Sequence, residues 1–346
     1  MTLPKPRRID GDATPALRWG IIGTGWIATR FVRAVHRRTA QRVAAVTARD
    51  PYRLSSFATT HDIPTSYPTP EALLADESID AVYIATPHSS HRDLALQAIA
   101  AGKPVLVEKP IALSAAEARE IATAARAAGV LVMEAMWTRY LPQIDIVRQM
   151  LDDGTLGDIH LVTADFGFVA PYDPGSRMWD PTLGGGALLD AGVYPVSFAS
   201  FVLGAPARVQ ASGEITPDGV DLRASAILTS PGRADAFVAT SMVAHLPTRA
   251  TVIGTKGRID IPASFFTPTG VVLTTRADGT DVTESWTDDT FEDGYDALSY
   301  QALAFASYLA EGRPESPLHT LDEVVSTLAT IDAIRGLLTV DTEERQ

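Results

Sequence analysis

Between Leu17 and about Met136, short apolar runs alternate with longer stretches in which apolar residues recur every three or four positions. The short runs are almost continuously apolar, which is typical of parallel strands buried on both faces. The longer stretches have the periodicity of helices, and two of them end in glycine, at Gly102 and Gly129, as helix C-termini favour. This alternation predicts a doubly wound parallel sheet. The strand-like runs are LRWGIIG, RVAAVTA, AVYIAT, PVLVEK and VLVMEAM.

After about Met136 the pattern changes to successive strand-like segments separated by Gly, Pro and Asp, which predicts a mostly antiparallel sheet. Helical patterns lie at PQIDIVRQMLDDG, at LLDAGVYPVSFASFVLG, from Tyr295 to Glu311 and from Leu321 to Leu338. We therefore expect an α/β protein in three parts: a flexible tail over residues 1–16, the parallel-sheet domain over residues 17–136, and a second α/β domain over residues 137–346. The last helix could pack back on the parallel-sheet domain.

The composition narrows the class of protein. The chain is 46% hydrophobic and 21% charged, and we expect no apolar stretch as long as the roughly 18 uncharged residues that a membrane helix needs. A formal net charge of −13 argues against binding to a nucleic-acid backbone, because that affinity comes from clustered Lys and Arg. The absence of cysteine excludes disulfides, thiolate catalysis and Cys-ligated metals. The N-terminal segment lacks the apolar core of a secretory signal, and we expect a cytoplasmic protein.

The segment GIIGTGWIA places Gly23, Gly25 and Ala28 in a GxGxxA pattern where the first strand meets the first helix. Gly23 permits a tight turn, Gly25 lets a pyrophosphate approach the backbone, and Ala28 allows close helix packing. The helix N-terminus then offers free N–H groups and a partial positive charge to the anion. The pattern predicts a dinucleotide site in a Rossmann domain. The predicted contacts in this loop are Gly23, Thr24, Gly25, Trp26 and Ile27.

The end of the second strand, AVTARD, bears on the choice of dinucleotide. A site for NAD usually has an Asp or Glu here, which holds the ribose 2′-hydroxyl. Ala48 occupies that position and Arg49 follows it, so the charge that would repel a 2′-phosphate is absent and a guanidinium that could bind one is present. The sequence therefore predicts NADP rather than NAD. In the alternative interpretation, Arg49 is a solvated loop residue and Asp50 acts as the acid.

The segment VLVEKPIALS places Glu108 and Lys109 at the end of a buried run that we take as the fifth strand. In open α/β sheets this edge lines the ligand crevice, where Lys109 could hydrogen-bond a reacting oxygen and Glu108 could orient it. A proton partner could come from GGGALLDAGVYPV, in which Asp190 and Tyr194 are spaced for one helical face. A lysine near a tyrosine favours the phenolate and makes it a workable acid or base. Taken alone, Glu108, Lys109 and Pro110 could form a polar loop, and Tyr194 could be a core residue.

Taken together, these segments resemble the Gfo/Idh/MocA oxidoreductase family from about Leu17 to Leu338. The motifs that carry the resemblance are GIIGTGWIA, YIATPHSSH, VLVEKPIALS, MEAMWTRYLP, SRMWDPTLGGGALLDAGVYPV, VIGTKGRIDIP and PLHTLDEVVSTLATIDAIR. The sequences of these motifs are most similar to those of the branch that contains dimeric dihydrodiol dehydrogenase and NADP-dependent D-xylose dehydrogenase. Many other members have a histidine where Tyr194 stands, so we do not expect an Asp-His relay here.

The resemblance implies specific roles for the site residues. Lys109 and Tyr194 would form the catalytic pair, and Asp190 would lie near the nicotinamide or the substrate. Further cofactor contacts are implied at Thr86, Pro87, His88, His91, Glu108 and Lys109. Substrate contacts are implied at Trp137, Arg139, Arg177, Trp179 and Tyr194, although each of the first four has a packing or surface alternative. The two histidines are not expected to bind a metal, because no acidic or histidine cluster accompanies them.

We therefore expect an NADP-dependent oxidoreductase that transfers a hydride between nicotinamide C4 and a hydroxyl-bearing carbon of a sugar or a cyclic trans-diol. Two alternatives stay open: a reductase of keto or anhydro sugars, and a non-catalytic NADP-binding sensor of redox state. The expected partner is a small-molecule substrate, without nucleic acid or membrane. The resemblance also implies that the second domain has a large open sheet and that the protein forms a homodimer through this sheet, or a tetramer made of two such dimers. The exposed apolar face of the sheet would otherwise be a liability.

Overall fold

The computed structural model describes residues 3–277 and 279–340 of the chain, which folds into two compact units. The first unit contains Arg8–Tyr140 and Phe291–Val324, and the second contains Met1–Arg7, Leu141–Thr290 and Val325–Gln346. Each unit thus combines segments that are far apart in sequence. The domain boundaries drawn at residues 16/17 and 136/137 stay a prediction, and so does the flexibility of residues 1–16.

Six of the described strands pair in parallel to form the sheet of the first unit. They are β1 (Arg18–Ile22), β2 (Arg42–Thr47), β3 (Thr65–Tyr67), β4 (Ala81–Ile84), β5 (Val105–Glu108) and β6 (Val132–Ala135). Their spatial order, β3-β2-β1-β4-β5-β6, reverses between β1 and β4, where doubly wound sheets bind ligands at the carboxyl ends of the strands. The predicted sheet is confirmed. The sequence analysis missed β3, a short edge strand whose residues are only partly buried.

A core of aromatic side chains holds the first helix of this unit against the sheet. Trp19 of β1 is fully buried, and its ring centroid lies 5.4 Å from that of Phe31 and 4.9 Å from that of Phe305. Phe31 also stacks on Tyr83 of β4. These contacts anchor the loop between β1 and the first helix. The helices are α1 (Trp26–Arg38), α2 (Pro51–Thr60), α3 (Pro70–Leu74), α4 (His91–Ala100), α5 (Ala115–Ala128) and, from the later segment, α8 (Leu298–Ala310).

The second unit is built on a mixed sheet, to which nine of the described strands belong. They are β7 (Ile159–Gly167), β8 (Arg208–Ile215), β9 (Asp221–Thr229), β10 (Asp235–Ser241), β11 (Ala250–Gly254), β12 (Gly257–Ile261), β13 (Gly270–Ala277), β14 (Thr280–Thr287) and β15 (Thr339–Val340). Only the pairs β7–β10 and β8–β15 are parallel among the pairings described, so the predicted, mostly antiparallel sheet is confirmed. The sequence analysis missed β14 and β15, which are largely exposed and carry no apolar run.

One face of this sheet is covered by a long apolar helical segment. The remaining helices are α6 (Pro142–Asp152), α7 (Val193–Leu203) and α9 (Leu321–Arg335), and α7 packs on β7 and β10. Within the residues described, Pro181–Leu203 alone has the length and composition of a membrane span. The expectation that no stretch would reach that length was therefore wrong. Its apolar window is 72% buried inside the protein, and packing against the sheet accounts for its composition.

Candidate active site

The glycine pattern lies in the loop between β1 and α1. Gly23 has a φ of 111°, and a Cβ there would lie 2.4 Å from the carbonyl oxygen of Ala85, in the loop after β4. A Cβ on Gly25 would be 3.9 Å from that same oxygen, so the space over Gly25 is open. Gly25 is also the N-cap of α1, and a glycine has no side chain to occupy the first N–H groups of the helix, including those of Trp26 and Ile27. These groups are available to an anion.

The two glycines should respond differently to alanine. We expect Gly23→Ala to lower the free energy of unfolding by at least about 2 kcal/mol, because the backbone conformation is strained for an L-residue and the Cβ collides with a carbonyl. Gly25→Ala should unfold almost as the wild type does but bind the dinucleotide more weakly, since its Cβ fills the open space. Urea unfolding and a binding titration check this. Equal stability of the two variants would contradict the assignment.

Arg49 lies exposed at the end of β2. Within the part of the chain that the structure describes, its side chain has no ion-pair or hydrogen-bond partner. The neighbouring Asp50 is the N-cap of α2, where its Oδ1 accepts the N–H groups of Tyr52 at 2.9 Å and Arg53 at 3.1 Å. This capping role accounts for Asp50 without a ribose contact. Arg49 therefore remains available for an anionic ligand.

Glu108 and Lys109 lie at the carboxyl end of β5, as predicted. The buried carboxylate of Glu108 accepts hydrogen bonds from the hydroxyl of Tyr83 and, at 3.1 Å, from the backbone N–H of Lys109. Burial raises the pKa of Glu108 to about 7, and the Tyr83 hydrogen bond and the Lys109 charge limit the rise. Lys109 is half-buried and is joined to Pro110 by a cis peptide bond. The turn that carries Lys109 is thus held by a carboxyl group poised near neutral pH.

The raised pKa of Glu108 predicts a specific dependence of stability on pH. Because its pKa rises from 4.5 to about 7 on folding, its contribution is fully present below the lower value and is lost as the pH rises through the higher one. Glu108→Gln should remove this loss, so the free energy of unfolding of the variant, relative to that of the wild type, should be roughly 3 kcal/mol higher near pH 8 than in acid. Urea unfolding of both proteins at several pH values checks this. Parallel pH profiles of the variant and the wild type would contradict it.

His91 ties the loop after β4 to the loop after β5. Its ring is fully buried, with Nδ1 2.8 Å from the carbonyl oxygen of Pro110 and Nε2 2.9 Å from that of Thr86. A neutral imidazole has one N–H and donates to one of these oxygens at a time. The neighbouring His88 is also buried, with its ring 5.6 Å from that of His91. The structure gives His91 a supporting position; cofactor contacts at Thr86, Pro87, His88 and His91 stay predictions.

A second buried carboxylate, which the sequence analysis missed, supports the same turn. Glu134 of β6 accepts the backbone N–H of Ile111 at 2.9 Å through Oε1, and its Oε2 lies 2.8 Å from Nε2 of His319. Burial lowers the pKa of His319, which favours the neutral ring, and Nε2–H can then donate to the carboxylate. A signal for Glu134 was present, because it stands near the end of a buried strand as Glu108 does. The distant His319 offered none.

Two of the predicted substrate residues lie in the interior. Trp137 is only 3% exposed, and its ring stacks on that of Tyr295 at 5.6 Å. Arg139 is 2% exposed, with Nη1 3.5 Å from Oε1 of Glu323. These positions fit the packing alternative for both residues. Direct contacts of Trp137 and Arg139 with a substrate stay predictions.

In the second unit, two site residues that were predicted separately form an ion pair. Asp190 lies in a π-helical turn, Leu188–Gly192, that leads directly into α7. Its Oδ1 accepts a hydrogen bond from Nη2 of Arg177 at 2.8 Å. The π turn also changes the angular spacing of Asp190 and Tyr194 from that of the α-helix on which their predicted shared face was based. The loop containing Arg177 therefore supplies a counter-charge to Asp190.

Tyr194, the second residue of α7, is buried beside two aromatic rings. Its ring centroid lies 4.7 Å from that of Phe266 and 5.8 Å from that of Phe166, neither of which the sequence analysis identified. Trp179 is partly exposed, and its Nε1 donates to the carbonyl oxygen of Pro171 at 2.9 Å. The structure thus groups Asp190, Arg177 and Tyr194 around one helix start.

Among the residues described, no group of three or more His, Asp or Glu side chains has a metal-binding arrangement. The expectation that no metal is used stays a prediction. The carboxyl end of β5 provides a lysine and a buried carboxyl group, and the start of α7 provides a tyrosine and Asp190. Such side chains suit proton transfer and the polarisation of an oxygen.

Comparisons with known proteins give a consistent result. The model of the Gfo/Idh/MocA oxidoreductase family, NAD-binding Rossmann fold, matches residues 17–136, and the model of the Gfo/Idh/MocA C-terminal domain matches residues 144–260. The chain is 37% identical to trans-1,2-dihydrobenzene-1,2-diol dehydrogenase of Xenopus laevis, over 90% of this chain and 96% of that protein.

Two solved structures are similar over nearly the whole chain. The 3-ketoreductase KijD10 of Actinomadura kijaniata, in complex with NADP and TDP-benzene, is 27% identical with a TM-score of 0.81, over 94% of this chain and 99% of that one. The aldose-aldose oxidoreductase of Caulobacter crescentus, complexed with glycerol, is 26% identical with a TM-score of 0.81, over 93% and 97% of the two chains. The chain therefore belongs to the Gfo/Idh/MocA family of oxidoreductases.

Proposed function

We propose that the protein is an NADP-dependent dehydrogenase that oxidises a hydroxyl-bearing carbon of a cyclic trans-diol or a sugar. The observation that carries this proposal is its similarity, over 90% of the chain, to trans-1,2-dihydrobenzene-1,2-diol dehydrogenase. The arrangement at the end of β5 supports it, because two buried side chains, Glu108 and His91, hold the turn that carries Lys109.

The loop after β1 fits a dinucleotide, because a Cβ would fill the space over Gly25 and the N–H groups at the start of α1 face no capping side chain. The cofactor supplies the hydride acceptor, and the protein supplies orientation and electrostatics. Gly23 to Ile27 would hold the pyrophosphate, and Arg49 the 2′-phosphate. Thr86 and Glu108 lie at the carboxyl ends of β4 and β5, the edge at which doubly wound sheets bind ligands, and would lie near the nicotinamide.

We assign the proton chemistry to Lys109 and Tyr194. As the C–H hydride leaves the substrate, Tyr194 takes the hydroxyl proton, and Lys109 donates a hydrogen bond to the oxygen that becomes a carbonyl. The lysine also favours the phenolate form of the tyrosine that accepts the proton. Asp190, neutralised in part by Arg177, would orient the substrate hydroxyl. Contacts of the substrate with Trp137, Arg139 and Trp179 belong to the same proposal.

A spectrophotometric screen tests the activity. The protein is incubated with NADP or NAD and with trans-1,2-dihydrobenzene-1,2-diol, trans-cyclohexane-1,2-diol, aldopyranoses and inositols, and formation of the reduced nicotinamide is followed. We expect turnover with NADP on a trans-diol or an aldopyranose. Tight NADP binding without turnover of any of these substrates, and without oxidation of NADPH by the corresponding carbonyl compounds, would point instead to a redox sensor.

The cofactor preference should depend on Arg49. We expect Arg49→Ser to weaken NADP binding about 10- to 100-fold, since a charge-assisted contact to phosphate is lost, and to leave NAD binding almost unchanged. Arg53→Ser, four residues along and also exposed, is the matched control. Calorimetric titration of both nucleotides measures the change. Equal losses for NAD and NADP would contradict a role of Arg49 in reading the 2′-phosphate.

A second candidate function is the reduction of a keto sugar. The similarity to a 3-ketoreductase, with a TM-score of 0.81, favours it. In that direction Tyr194 would give its proton to the carbonyl oxygen as the hydride arrives. Oxidation of NADPH by 3-keto sugars, at a higher kcat/KM than the diol reaction, would select this function.

We also propose a cytoplasmic homodimer, or a tetramer made of two such dimers, formed through the outer face of the mixed sheet. Phe237 of β10 and Ile227 of β9 lie opposite each other in the strand register, and they are 46% and 38% exposed. Adjacent exposed apolar side chains on an open sheet favour association with another copy. Light scattering on the purified protein measures the mass, and a monomer at micromolar concentration would contradict the proposal.

A further inference from the structure

A buried acid outside the predicted site holds the start of the helix that carries Asp190 and Tyr194. Asp221, at the beginning of β9, is fully buried, and its Oδ2 accepts the backbone N–H of Leu188 at 2.6 Å. Leu188 is the first residue of the π turn. The first N–H groups of a helix have no partner within it, and they form its positive end. The carboxylate therefore satisfies a donor and stabilises this helix start.

The glycine run before the helix is shaped around this carboxylate. Gly186 has a φ of 122°, and a Cβ there would lie 2.4 Å from Oδ1 of Asp221. A Cβ on Gly185 would lie 2.5 Å from the carbonyl oxygen of Arg177. The same tight turn thus brings together Asp221, the helix start and the loop whose arginine pairs with Asp190.

The surroundings of Asp221 restrict its movement. Nη2 of Arg335 lies 3.6 Å from Oδ1 and donates to the carbonyl oxygen of Gly219 at 3.0 Å. Burial raises the pKa of Asp221, and the Leu188 hydrogen bond and the Arg335 charge oppose the rise. On the next strand, Oγ1 of Thr240 donates to the carbonyl oxygen of Ala187 at 3.2 Å. Two neighbouring strands therefore hold the residues on either side of the helix start.

We propose that Asp221 is a positioning residue of the active site: it sets the start of the π turn and thereby places Asp190 and, through the helix, Tyr194. The inference rests on the proposed function, in which Tyr194 exchanges the proton. It requires no contact between Asp221 and the substrate. Because a displacement of about 1 Å at a reacting group can cost on the order of 100-fold in rate, release of this helix start should be visible in kcat.

The experiment compares Asp221→Ala and Asp221→Asn with a matched control, Asp145→Asn. Asp145 is a buried acid of the same unit, whose Oδ2 accepts the backbone N–H of Arg7 at 2.7 Å and whose Oδ1 accepts from the guanidinium at the same distance. Steady-state kinetics are measured with the best substrate of the screen, and active sites are counted by NADP binding. Hydrogen exchange at residues 187–192 is measured on the same samples.

We expect Asp221→Ala to lower kcat per active site about 100-fold with the KM for NADP unchanged, and to speed exchange at residues 187–192 at least tenfold. Asp221→Asn should recover most of kcat, because the amide oxygen can still accept the Leu188 N–H. Asp145→Asn should lower stability while leaving both readouts unchanged. Unchanged kcat in Asp221→Ala, or equal losses in the two Asp221 variants, would overturn the inference.

The exchange measurement separates this inference from the proposed function. If the wild type turns over no substrate, the proposed function fails, whereas faster exchange confined to residues 187–192 in Asp221→Ala still supports the role of Asp221 at the helix start. Unchanged exchange in that variant overturns the inference whatever the activity.

Discussion

Replacing Lys109 by alanine should lower kcat about a thousandfold, while the dissociation constant for NADP changes by less than about threefold. The ammonium is expected to act on the oxygen that changes charge during the reaction, so its loss raises the barrier more than it weakens the bound ground state. Most of the cofactor's binding energy would come from the loop after β1 and from Arg49. Stopped-flow or steady-state kinetics and calorimetric titration with NADP give the two quantities.

Lys103→Ala is the matched control for Lys109. Lys103 lies in the same unit, and its Nζ donates to the carbonyl oxygens of Asp76 at 2.7 Å and Ile79 at 2.9 Å. Its loss should lower the melting temperature and leave kcat unchanged. If Lys109→Ala kept its turnover, the proposed mechanism would be wrong. If it lost NADP affinity in proportion to turnover, Lys109 would be a cofactor contact alone.

Tyr194→Phe should lower kcat by about 100- to 1000-fold, because the group that exchanges the substrate proton is removed. Phenylalanine keeps the ring that packs beside Phe166 and Phe266, so thermal stability should change little. Tyr67→Phe, which removes a hydroxyl that donates to Asp76 at 2.9 Å, controls for the loss of a single hydrogen bond. Its kcat should equal that of the wild type.

The double variant Lys109→Ala/Tyr194→Phe tests whether the two residues act together. Groups that serve one chemical step are strongly non-additive, so the double variant should be about as slow as the slower single variant. Fully additive losses would show that Lys109 and Tyr194 contribute to separate steps. Wild-type turnover in Tyr194→Phe alone would require another proton acceptor.

Much of the fold was predictable because its signals are local. A strand buried on both faces must be apolar along its length, and an amphipathic helix must repeat every three or four residues, so each element of the parallel sheet from β4 to β6 is visible in its own ten residues. Edge strands such as β3 and β14 do not follow this rule, because their side chains are only partly buried or exposed. The membership of Phe291–Val324 in the first unit could not be predicted either, because it depends on contacts between distant segments.

In the candidate site, too, some residues could be predicted from local rules and others could not. The rule that ligands bind at the carboxyl ends of parallel strands placed Gly23, Arg49 and Lys109 at that edge, and the structure puts each at the end of its strand. No local rule distinguishes a tryptophan or an arginine that faces a ligand from one that packs inside. Trp137 and Arg139 were therefore named as substrate contacts with packing as the alternative; the structure buries both side chains, and their contact with a substrate stays a prediction.

The sequence alone determined the pattern of the parallel sheet apart from its edge strand β3, the glycine loop, and the types of residue at the ends of the strands, because periodicity and spacing act over a few residues. Only the tertiary structure decided which distant side chains support them. The pairs Glu134–His319, Asp190–Arg177 and Asp221–Leu188 each join residues that no common element contains. A buried carboxylate requires hydrogen-bond partners, but which residues provide them depends on how the whole chain packs.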